Sequence, residues 1–103
     1  MTYWQKTPII NSLKINAMKQ KQIKINTNYL YYEDIGSSLV TYDVHIKSLG
    51  KGFINALICG PDGCAVRKLF PASSLGEYRL FSSVEELLNS TNKPISNHFD
   101  LKY

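Results

Sequence analysis

Asp43 and His45 stand two residues apart in the alternating run Val40 to Lys47. An acid beside an imidazole on one face of a strand is how a general base is oriented. A nucleophile to serve that base is missing. Ser73 and Ser74 lie in a loop without the sharp strand-to-helix elbow that exposes a catalytic hydroxyl. Glu85 and Glu86 are adjacent, so on a helix they diverge by about 100° and cannot share a proton. Gly50-Lys51-Gly52 offers backbone donors and an ammonium, yet it lacks the G-x-x-x-x-G-K-[ST] frame and precedes a strand. It reads as a turn. The chain is therefore not expected to be an enzyme; Asp43 and His45 are the pair an enzymatic reading would use.

Cys59 and Cys64 flank Gly60-Pro61-Asp62-Gly63. Proline cannot take the positive φ that the tight I′ and II′ hairpin turns require at their first central position. Pro61-Asp62-Gly63 fits a type I turn followed by a left-handed glycine, a three-residue loop with a bulge. In that register Gly60 faces Cys64 and Cys59 faces Ala65. The sulfurs then point to opposite faces, and no disulfide is expected. The same register gives a core face of Ile54, Ile58, Cys64, Val66 and Phe70. Zinc wants four ligands, and His45 and His98 sit at unrelated positions, so neither a metal nor a cofactor is expected. The cysteines read as two small buried hydrophobes.

Charge is distributed unevenly. Residues 1 to 32 hold Lys6, Lys14, Lys19, Lys21 and Lys24 and no acid, whereas residues 33 to 103 hold seven basic and eight acidic residues, so the net charge of +4 belongs to the first third. Lys14, Lys19, Lys21 and Lys24 alternate with Asn16, Gln20, Gln22 and Asn26, and tyrosines follow at 29, 31 and 32. Such a segment presents many donors and no repelling carboxylate. The candidate binding set is Lys14, Lys19, Lys21, Lys24, Asn26, Asn28 and Tyr32. Arginine, the usual reader of guanine, is scarce, so sequence-specific nucleic-acid readout is not expected.

The elements that carry these residues follow from periodicity. A chain of 103 residues, 44% hydrophobic and 19% charged, suits one self-sufficient domain. Thr7-Pro8 with Ile9, Ile10, Leu13 and Ala17 reads as a helix or basic arm over residues 1 to 20. From Lys21 the period is two, with Ile23, Ile25, Tyr29 and Tyr31 on the core side and a break near Asn26 to Asn28. Val40, Tyr42, Val44 and Ile46 mark the clearest strand, Phe53 to Cys59 and Ala65 to Phe70 two more, and Tyr78 to Phe81 a short one. Ser83 with Glu86 three positions on is a capping box. Ile95, Phe99, Leu101 and Tyr103 suit a tail over residues 92 to 103 that lies as an edge strand or drapes over the core. Residues 21 to 91 form the sheet and helix.

The expected fold is α+β, an antiparallel meander of four to five strands with a short C-terminal helix. The expected function is that of a small adaptor or inhibitor docking an acidic surface, on a protein by preference, with a sequence-tolerant DNA- or RNA-binding domain as the alternative. The opening M-T-Y-W-Q-K-T-P lacks a signal-like apolar region and no stretch suits a membrane span, which reads as cytoplasmic. The abundance of Asn, Lys, Ile and Tyr fits an A/T-rich genome or mobile element.

Overall fold

The computed structural model describes residues 17–102, so residues 1 to 16 of the arm or helix read over residues 1 to 20, Lys14 among them, lie outside the described residues. A single 3-10 turn, Gln20–Gln22, precedes β1 (Asn28–Asp34), β2 (Leu39–Leu49), β3 (Ile54–Gly60), β4 (Gly63–Leu69), β5 (Leu80–Phe81), α1 (Val84–Thr91) and β6 (Ile95–Phe99). The strand read from Lys21 therefore starts only at Asn28. Asn26 takes a left-handed φ of 60° at the break, and the 3-10 turn occupies the residues before it.

Strands β1 to β4 form an antiparallel meander and β5 returns beside β1, giving the order β4-β3-β2-β1-β5. The α+β expectation of an antiparallel sheet with one short helix holds. One strand departs from it: β6 runs parallel to β2, from Leu39 opposite Ile95 to Tyr42 opposite Phe99. Strand β2 is long enough to take two partners along one edge, β6 over its first half and β3 from Val44 onward. The tail thereby joins the sheet as a strand with a single partner, which is the edge-strand placement among the two expected of it.

The sheet buries apolar side chains on both faces. One face carries Tyr29, Val44, Ile46, Ile54, Ala56, Ile58, Leu69 and Leu80, closed by Ile23 from the N-terminal connector and by Tyr78. The other carries Leu30, Leu39 and Phe81, covered by Leu87 of α1 with Ile95 and Tyr32 alongside. Period-two alternation explains the split, because Tyr29 and Leu30, or Leu80 and Phe81, necessarily point to opposite sides. Truncating a fully buried leucine such as Leu87 removes about 2–5 kcal/mol in sites of this kind.

Helix α1 begins as its sequence dictates. Ser83 is extended, and its hydroxyl accepts the Glu86 N–H at 3.2 Å, satisfying one orphan donor of the first turn. The Glu86 carboxylate accepts from Ser82 rather than closing the box on Ser83. Asn92 ends the helix in the left-handed region, its N–H donating to Leu88 O at 2.9 Å.

The β3–β4 hairpin differs from the expected register. Gly60 pairs with Gly63 and Cys59 with Cys64, leaving only Pro61 and Asp62 between the strands. Neither of them has positive φ; Gly63 takes it instead, at 113°. The left-handed glycine is thus where the turn chemistry demands it, but the ladder absorbs that glycine as a paired residue instead of a bulge. A shift of one residue turns every β4 side chain over. Val66 and Phe70 are 55% and 63% exposed rather than core, Cys64 is exposed, and Leu69 faces the core opposite Ile54. Ile25, also expected inside, is exposed because it lies in the turn before β1.

Candidate functional site

The basic connector is pinned down by uncharged groups, which leaves its lysines outside. Met18 donates to Leu80 O and accepts from the Tyr78 N–H, and Lys19 pairs with Glu77 through the backbone, so residues 18 and 19 cover the β5 side of the sheet. The chain then crosses the larger core. The Gln20 amide donates to Gly50 O at 2.6 Å and its carbonyl accepts from the Tyr78 hydroxyl at 2.9 Å, while Ile23 is buried. Burial of the Tyr78 ring pushes its phenol above the usual range. The Lys24 N–H donates to the Tyr29 hydroxyl, and the Asn26 N–H to Ile46 O at 2.8 Å.

Lys19, Lys21, Lys24, Asn26 and Asn28 are all exposed along this path. Lys19 and Lys21 border an open cleft of about 670 Å³ whose wall also holds Leu75, Glu77 and Glu86. Tyr32 does not join them. It projects to the opposite, helix-covered face, half-buried with its ring 5.9 Å from that of Phe81, so it offers no free platform for a base. Asn28 is engaged as well, its Oδ1 lying 2.6 Å from His45 Nδ1.

Several of the carboxylates have partners within the fold, while few of the cations do. Among the described residues, Lys93 is the lysine bonded to a carboxylate, meeting Asp34 at 2.7 Å. Glu33 accepts from the Tyr42 hydroxyl, Glu77 from Ser73 and Glu86 from Ser82, while Asp43 and Asp100 both face His98. Burial, and then the hydrogen bond to Glu33, push the Tyr42 phenol upward.

Strand β4 is an open edge of the sheet, paired only with β3 and exposed from Gly63 to Lys68. Arg67 and Lys68 lie on it, the latter with Nζ 4.7 Å above the Phe53 ring. Cationic side chains on an edge discourage pairing with another copy. Ala65 to Phe70 is apolar enough to be expected in the centre of the sheet, as is Phe53 to Cys59; Arg67 and Lys68 were the available signal of an edge.

The cysteines form a disulfide, contrary to expectation: in the Cys59–Cys64 register the two side chains leave the same face, and their Cα atoms are 3.9 Å apart. The Lys102 N–H donates to Cys59 Sγ at 3.3 Å, so the cystine also anchors the chain that follows β6. The glycines bracketing Pro61-Asp62 were the available signal for the shorter loop.

Asp43 does find an imidazole, but not the neighbouring one. His98 Nε2 lies 3.4 Å from Asp43 Oδ1 and 3.1 Å from Asp100 Oδ1, while His45 turns to Asn28. The parallel pairing of β6 with β2 creates this contact, setting His98 opposite Thr41 two residues before Asp43. The hydroxyl that accompanies the group is that of Thr41, 2.6 Å from His98 Nδ1 and fully buried, so no solvent-exposed hydroxyl or thiol is among the described contacts of Asp43 and His98. Compared with protein-family models, with curated proteins and with solved structures, the chain matches none.

Proposed function

We propose that this protein is a non-enzymatic interaction module that docks an acidic macromolecular surface, a protein by preference, through the connector bearing Lys19, Lys21 and Lys24. The observation that supports it is that these three ammonium groups stand exposed on a backbone fixed by Gln20, Ile23 and Tyr29, and Lys93–Asp34 is the lysine–carboxylate pair among the described residues. A rigid scaffold presenting free cations suits electrostatic docking, since little ordering is left to occur on binding. Tyr32 packed against Phe81 weighs against the nucleic-acid alternative, which needs an accessible ring for stacking.

The cystine bears on location. Cytosolic thiols are kept reduced, so a persistent Cys59–Cys64 bond favours oxidising surroundings over the cytoplasmic expectation. No helix among the described residues is long and apolar enough to cross a membrane.

Affinity capture with the full chain, beside a Lys19→Glu/Lys21→Glu/Lys24→Glu variant, tests the reading. Partners held by the wild type and lost by the variant support it. Retention of every partner overturns it, and partners that vanish on nuclease treatment transfer the role to nucleic-acid binding.

A further inference from the structure

Three acceptor atoms converge at the fork where β2 changes partners. Asp43 lies between Tyr42, the last β2 residue paired with β6, and Val44, the first paired with β3. Its carboxylate, the Asp100 carboxylate and the His98 imidazole place one donor atom each within 4.8 Å of one another. This group is separate from the lysine connector and is used by nothing proposed above.

The orientation of His98 makes the convergence informative. Its Nδ1 is 2.6 Å from Oγ1 of Thr41, a residue that is 0% exposed. The Thr41 hydroxyl has the Asn97 carbonyl, at 3.4 Å, to donate to. A hydroxyl has one proton: given to Nδ1 it leaves the Nε2–H facing the carboxylates, and given to Asn97 it lets the Nδ1–H donate to Thr41 and aims a bare Nε2 lone pair at two carboxylate oxygens, the form that a cation would select. Three electron-rich atoms in that arrangement repel one another unless an electropositive centre lies between them.

We propose that Asp43, His98 and Asp100 form a divalent-cation site, with zinc as the class of ion it takes. Donor separations of 3.1 and 3.4 Å are what bonds of about 2.0–2.1 Å produce at tetrahedral or octahedral angles. An imidazole nitrogen among the donors selects against magnesium and calcium, which prefer all-oxygen shells. Thr41 is then the outer partner that sets the tautomer, as a ligating histidine ordinarily requires. Two carboxylates balance the charge of the ion, and the remaining positions go to water. Bound there, the ion ties the end of β6 to the centre of the sheet.

Zinc titrated into the full-length, disulfide-intact protein tests the site by calorimetry and by nitrogen-15 spectra of the histidine rings. The expected result is one equivalent bound, His98 ligating through Nε2, and the His45 ring unmoved. Asp43→Asn and Asp100→Asn should each weaken binding about tenfold or more, a loss on the scale that disturbing a metal shell produces. Asp100 has a side chain 75% exposed, so that variant keeps its fold. The proposal is overturned by absence of zinc uptake, by uptake that survives both aspartate changes, or by displacement with equimolar magnesium.

Discussion

Cys59 and Cys64 face each other directly across the β3–β4 hairpin, their sulfurs joined and the backbone of Lys102 resting on them. One cross-link thus serves two purposes, closing a hairpin at an open edge of the sheet and holding the segment beyond β6.

Reduction should therefore act locally and globally. Constraining so short a loop in the unfolded chain contributes about 2 kcal/mol on the chain-entropy account. Denaturant unfolding with and without reductant should show a loss of that order, with exchange protection at Leu101 and Lys102 falling first. Thiol titration provides the direct check. Unreduced protein in denaturant should yield no free thiol; two would disprove the cystine.

Acid stability should carry the mark of Asp34. The Lys93 ammonium bonds both of its oxygens, at 2.9 and 2.7 Å, and this contact, with the Gly36 N–H, holds the carboxyl below its ordinary value of 3.8. A carboxyl depressed by folding contributes stability above its unfolded value, and the contribution disappears as pH falls through the folded one. Asp34→Asn should flatten this part of the acid limb below pH 4, and Lys93→Met should flatten most of it. The pair is exposed, so added salt should shrink the effect. Unchanged acid profiles in both variants would show that the pair is not formed in solution.

Gly50 should resist even the smallest side chain. A Cβ there would overlap the Phe53 ring, which also packs against Phe70 and beneath Lys68. Gly50→Ala must displace that ring, at a cost of about 1–3 kcal/mol, typical of overpacking. In a Phe53→Leu background the penalty should fall by at least half. Equal penalties in the two backgrounds would place the cause in the backbone instead.

Much of the architecture is legible from alternation alone. Val44 and Ile46 against Asp43 and Lys47, and Ser83 ahead of Glu86, identify β2 and the start of α1 without any long-range information, because both patterns are dictated by local geometry. The lysine-rich, acid-free first third is equally a property of the chain as written. Alternation, however, says only that neighbours point to opposite sides. Whether Val66 or Leu69 is the inward residue depends on how Gly63 is counted at the hairpin, and a single residue of register exchanges them.

The remaining features depend on which strands meet. His98 and Asp43 are brought together only because β6 runs beside β2, and that pairing rests on Ile95 joining Leu30, Leu39, Phe81 and Leu87 under the helix. No spacing within either strand encodes such a meeting; it is settled when distant apolar surfaces compete for burial. Composition and period therefore determined that the chain makes a basic-ended sheet with one helix. Packing decided which edge stays open, that the sulfurs join, and which imidazole the Asp43 carboxylate meets, since burial free energy belongs to whole surfaces rather than to segments.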